Sequence, residues 1–94
     1  MSETREWQYS VNDCNSGSVT ISDVPCLVKG WTVNTTNSAE CTLDDDSTVV
    51  VRIPASTPAG DARDYDGLRF ETSLKFTPTG TGEILVLYDE LERS

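Results

Sequence analysis

Carboxylates are the abundant reactive groups of this 94-residue chain, with 16 Asp and Glu against seven Lys and Arg, three cysteines and no histidine. Without imidazole there is no Ser-His or Cys-His nucleophile pair, no histidine general base and no histidine metal ligand. Two carboxylates can act as acid and base in glycoside hydrolysis, but one of them needs a cleft that raises its pKa. A β domain of this length has little room for such a cleft. Hard cations take several oxygens, and two runs offer them: Asp44-Asp45-Asp46, and Asp61, Asp64 and Asp66 ahead of Gly67. Laid on an EF-hand loop, Asp64, Asp66 and Gly67 take the third, fifth and sixth positions, leaving Ala62 first and Ser73 twelfth. Both outer ligands are missing. The segment therefore reads as an acidic, solvated loop in which Arg63 offsets local repulsion. No metal site, no cofactor and no catalytic constellation is expected.

The thiols are Cys14, Cys26 and Cys41. An odd number is not a closed disulfide framework, and without C-x-x-C or His they make a poor zinc site. Buried, reduced cysteines in a protein made in a cytosol are the expectation. One disulfide with a spare thiol, or a thiol pairing between subunits, are the alternatives. Asn34-Thr35-Thr36 matches a glycosylation acceptor, but the opening Met1-Ser2-Glu3-Thr4-Arg5-Glu6-Trp7 has no apolar secretory stretch. The match reads as chance.

The elements that must position these residues follow a period of two. Leu68, Phe70, Thr72, Leu74 and Phe76 alternate with Arg69, Glu71, Ser73 and Lys75, the pattern of an antiparallel strand with one face in the core. Pro78-Thr79-Gly80-Thr81-Gly82 then predicts a turn. Ile84-Leu85-Val86-Leu87-Tyr88 is apolar on both parities, as in a central strand covered on both faces, and completes an expected hairpin. Val49, Val51 and Ile53 share one face of a β-branched strand; Leu27, Trp31 and Val33 share another, with Gly30 marking a bulge or a close approach. Val19 with Ile21, and Cys41 with Leu43, make short strands. With Asn37 near the tip of a tight hairpin, Cys41 would fall opposite Thr32 or Val33. The 13 residues 54–66 carry no strand pattern and read as the one long loop, crossing between sheets or presenting a surface. No window shows a helical period. Six or seven short strands without helices predict an all-β sandwich or barrel. The organisation expected is residues 1–12 as an N-terminal arm or edge strand and residues 13–94 as a single β-sandwich domain.

A formal net charge of −9 argues against nucleic acid as the direct partner, because phosphate binding needs a basic face. It equally disfavours anionic membranes, and no run of 18 apolar residues spans a bilayer. Among the aromatics, Trp31, Phe70 and Phe76 sit on strand faces as core. Trp7 and Tyr9 lie in a polar stretch and either form an edge strand or dock on another molecule, a second copy included. Tyr65, within the acidic segment, is a further contact candidate.

From Cys26 to Asp89 the order of features resembles a group of small virion proteins of tailed bacteriophages. The pieces are Gly30-Trp31-Thr32-Val33, the Asn/Thr-rich residues 34–38, the acidic turn 44–46 and the β-branched strand 48–54. The Pro/Gly loop 55–66, Gly67-Leu68-Arg69-Phe70 and the closing segment 77–88 complete it. The resemblance covers about two-thirds of the chain and implies a compact, jelly-roll-like antiparallel β-sandwich of six to eight strands. It further implies a capsid decoration, or cement, protein that binds the major capsid protein, often as a homotrimer, and resides in the virion after synthesis in the host cytoplasm. The first 25 residues fall outside it, so the mode of attachment is not carried over. A non-enzymatic virion protein is thus expected, with Trp7, Tyr9, Arg63 and Tyr65 as partner-binding residues. A receptor- or carbohydrate-binding module of a phage tail or head fibre is the alternative.

Overall fold

The computed structural model of the chain describes residues 7–91. Eight strands run in order: β1 (Gln8–Asp13), β2 (Val19–Ser22), β3 (Cys26–Thr35), β4 (Cys41–Asp45), β5 (Thr48–Ile53), β6 (Ala62–Phe70), β7 (Leu74–Thr77) and β8 (Glu83–Glu90). A single 3-10 turn, Cys14–Ser16, follows β1 and is capped by the Asp13 carboxylate, which accepts from the Asn15 amide at 2.8 Å.

The strands form two four-stranded antiparallel sheets: sheet A in the order β1-β8-β3-β6 and sheet B in the order β2-β7-β4-β5. First pairs with last, second with seventh, third with sixth, and fourth with fifth. This is the pairing of one long ribbon folded at the β4–β5 turn and rolled into a sandwich, the jelly-roll arrangement. The pairs β3–β8 and β4–β7 close the two sheets. Only β4 and β5 are joined as a hairpin; every other connection passes from one sheet to the other.

The core is filled by alternate residues of both sheets. Val28, Trp31, Val33, Phe70, Ile84 and Val86 come from sheet A, and Leu43, Val51, Ile53, Leu74 and Phe76 from sheet B. Trp31, Phe70 and Phe76 are buried as their strand positions predict. Each large side chain so buried stabilises the fold by about 1.5–3 kcal/mol.

Four expectations are revised. The alternation from Leu68 to Phe76 is not one strand: it turns a corner at residues 71–73, leaving β6 in sheet A and β7 in sheet B. Both strands face the same core, so the period survives the corner. The corner is held by Asp45, whose carboxylate accepts from the amides of Glu71, Thr72 and Ser73 at 2.8, 2.9 and 3.3 Å. Consequently β7 and β8 are not a hairpin, although the turn at residues 78–82 lies where Pro and Gly place it. Nor are β3 and β4: Cys41 pairs with Ile53 in the opposite sheet, not with Thr32 or Val33. Finally, the long loop ends at Asp61, and Ala62–Phe70 is strand. Its alternation is hidden by a kink at Asp66 and Gly67, both at positive φ (58° and 100°). The Asp64 carboxylate accepts from the Asp66 amide at 2.8 Å and fixes that kink.

Two bulges shift parity. In β3 the register slips between Val28 and Gly30, so Cys26 and Val28 face inward before it and Trp31 and Val33 after it, while Leu27 stays half-buried outside. In the β4–β5 pair a slip between Leu43 and Asp44 turns Val49 out, 41 % exposed, whereas Val51 and Ile53 remain inside.

Candidate interaction face

The outer surface of sheet A gathers some of the residues singled out above. On β1, Tyr9 and Val11 pair with Leu87 and Leu85 of β8. Both β1 side chains point away from the core, 69 % and 51 % exposed, beside the half-buried leucines. Leu85 in turn pairs with Thr32, and Leu87 with Gly30. The apolar strip therefore crosses the sheet from its β1 edge towards β6. The expectation that β8 is covered on both faces holds for its inner face; outside, the described residues leave Leu85 and Leu87 half-buried.

The strip ends in a groove of about 240 Å³ lined by Lys29, Gly30, Trp31, Thr32, Ala62, Arg63, Asp64 and Leu87. Its floor is low because Gly30 has no side chain. A Cβ there would run into the backbone carbonyl oxygen of Arg63, so only glycine lets β6 close on β3 at this point. The sequence signal, a glycine beside Trp31 within a strand, was legible; the groove it opens was not.

Charge at the groove is uneven. Lys29 Nζ lies 3.3 Å from an Asp64 oxygen and 5.7 Å from the centre of the Trp7 ring, a cation–π contact. The Asp66 amide, then Lys29, hold the Asp64 carboxyl below its ordinary pKa. Elsewhere Arg52 pairs with Glu40, Arg69 with Glu71, and Lys75 with Asp46. Among the described residues Arg63 is the basic side chain with no carboxylate at salt-bridge distance. Its backbone borders the groove at Gly30, while its exposed side chain, paired in register with the buried Trp31, leaves β6 on the inner side of sheet A.

Of the residues expected to bind a partner, Tyr9 lies on this face and Trp7 beside it at Lys29, whereas Arg63 pairs with the buried Trp31 and so turns its side chain to the other side of sheet A. Tyr65 has another place. It sits on β6, half-buried against the core, and its hydroxyl accepts from Trp31 Nε1 at 3.1 Å. The arm expected over residues 1–12 is described from Trp7 onward, and its residues from Gln8 are edge strand β1; residues 1–6 lie outside the described residues.

The acidic runs are occupied with structural work. Asp44 accepts from the Thr77 hydroxyl at 2.9 Å, Asp45 caps the corner, and Asp46 faces Lys75. Burial raises the Asp45 pKa, but the three corner amides together outweigh it and hold the carboxyl below its usual range. Among the described residues no three His, Cys, Asp or Glu side chains assemble as an ion site, and no helix is long and apolar enough to cross a membrane.

One important residue gave no sequence signal. Asn37 is fully buried and ties three connections together. Its Nδ2 donates to Ala39 O (2.7 Å) and Pro54 O (2.9 Å), its Oδ1 accepts from the Thr57 amide (3.0 Å), and Gly82 packs on its Cα. An Asn among turn formers reads as a surface residue; only the convergence of three crossing loops buries it.

No family model, curated protein or solved structure matches the chain.

Proposed function

We propose that this chain is a non-catalytic virion protein of a tailed phage, a decoration protein that docks on the head by the outer face of sheet A. The observation that supports this most is the apolar strip Tyr9–Leu87–Val11–Leu85, on the edge and central strands of a face that a self-sufficient sandwich would make polar. Fold alone does not carry function, so the site is what counts. It has aromatic and aliphatic anchors and a groove, which suit a protein surface presenting an apolar side chain. The shell-forming capsid protein is the partner this reading names. Trimeric association, with the virion as the final location, belongs to the same proposal.

High negative charge keeps free copies apart before assembly and opposes their crowding on a head. Attachment then depends on buried apolar contact and is favoured by moderate or high salt. Mass spectrometry of purified virions, with co-sedimentation of the chain with heads lacking it, tests the proposal. The chain is expected in the particle and on the heads at saturable stoichiometry. Its absence from both, with a hit on a glycan array, would move the same face to a carbohydrate receptor role.

A further inference from the structure

We propose that Cys14 and Cys41 are a latent disulfide site, which peroxide closes into a cross-link between the two sheets. Their sulfurs lie 3.5 Å apart inside the core, 3 % and 0 % exposed. A bond requires about 2.05 Å, so the gap to close is small and both partners already face one another. Cys14 belongs to the 3-10 turn that follows β1, and Cys41 is the first residue of β4. The link would fasten the end of edge strand β1 in sheet A to a central strand of sheet B, across 27 residues of chain.

The third thiol is set apart. Cys26 is fully buried on β3, pairing with Phe70 and Glu90, and among the described residues no hydrogen bond joins it to another thiol. The surroundings of Cys41 also favour it as one half of a pair. Asn37 Nδ2 donates to its sulfur at 3.8 Å, while its own S–H points to Ala39 O at 3.7 Å.

Hydrogen peroxide is the oxidant. The Cys14 sulfur, the less enclosed of the two, attacks one peroxide oxygen; the O–O bond breaks, water leaves and a sulfenic acid forms. The Cys41 sulfur then displaces the second oxygen as water. Two S–H bonds and one O–O bond are lost, one S–S bond and two waters are gained, and two electrons pass from sulfur to peroxide. The reaction is slow at neutral pH, because burial first, then the neighbouring Cys41 and Asp13, push the Cys14 pKa to about 12 and leave little thiolate. A reducing cytosol would keep the site open, and prolonged exposure outside it would close it.

The test uses the full chain, treated with hydrogen peroxide, denatured in acid and titrated for thiols. The count is expected to fall from three to one, with Cys14 and Cys41 recovered in one cross-linked peptide. Tm is expected to rise by on the order of 10 °C and to return with dithiothreitol. Cys26→Ser should fall from two thiols to none, and Cys14→Ser should form no intramolecular link while remaining folded by circular dichroism. Three surviving thiols, a bridge that includes Cys26, or an unchanged Tm would each overturn the proposal. None of these outcomes depends on whether the chain binds a phage head.

Discussion

On the outer face of sheet A the central strands β8 and β3 present Leu85, Leu87, Leu27 and Thr32; on that of sheet B the central strands β7 and β4 present Lys75, Thr77, Thr42 and Asp44. Sheet B carries polar groups that largely answer one another: the Thr77 hydroxyl donates to Asp44 Oδ2 at 2.9 Å and Lys75 faces Asp46, although the buried Asp44 Oδ1 has no partner among the described residues. Its exposed valines, Val19, Val49 and Val50, stand on the edge strands β2 and β5. Sheet A pairs Lys29 with Asp64 at one end, but along its centre the leucines adjoin the exposed Tyr9 and Val11. Both faces come from the same alternation. What separates them is whether the outward parity carries groups that can answer one another.

The largest effect should come from abolishing the groove. Gly30→Ala sets a methyl against the Arg63 carbonyl and is expected to destabilise the fold by about 3 kcal/mol, read by chemical denaturation. A loss below 0.5 kcal/mol would mean β6 can retreat. Next is Leu87→Asp, which should weaken head binding about 100-fold, on the order of 2.7 kcal/mol, while Thr42→Asp on sheet B leaves it within twofold. Equal losses in that binding assay would erase the distinction between the faces.

Asp45→Asn attacks the corner that joins the sheets and should cost about 1–2 kcal/mol. The wild-type carboxyl titrates below its unfolded value, so its contribution is present above about pH 4 and is lost as pH falls through the lower folded pKa. The stability gap between Asp45→Asn and wild type should therefore narrow in acid, as denaturation curves at pH 7 and pH 2.5 would register. Tyr9→Ser should weaken head binding about fivefold, roughly 1 kcal/mol, whereas Val49→Ser, also exposed but on sheet B, should leave it unchanged. Thr77→Val, which takes the hydroxyl partner from the half-buried Asp44 carboxylate, is expected to lower Tm by about 4 °C.

Much of the fold was legible because burial imposes a period. Trp31, Phe70, Phe76 and Leu43 could be assigned to the core from alternation alone, and Gly30 could be recognised as a bulge or close approach. The candidate face was half legible. Tyr9 and Trp7 stood out as aromatics in a polar stretch. Arg63, a cation among carboxylates, and Tyr65 looked equivalent, yet Arg63 leaves the other side of the sheet and the Tyr65 ring belongs with Trp31. The Cys14–Cys41 proximity left no trace, since it joins an edge turn of one sheet to a strand of the other.

What the amino-acid order determined by itself is the inward parity of most strands, and hence a two-layer all-β molecule, because side-chain direction in an unbulged strand depends only on parity; the bulges that turn Leu27 and Val49 outward lay beyond it. It did not determine which sheet each strand enters. A tight hairpin and a crossing connection use the same Pro, Gly and Asn residues, and a strand that turns a corner keeps its parity towards the shared core. That choice rests on contacts distant in sequence: Asp45 on the 71–73 corner, Asn37 between three loops, and the ribbon pairing of first strand with last. Only with those contacts made do Tyr9, Val11, Leu85 and Leu87 share one face.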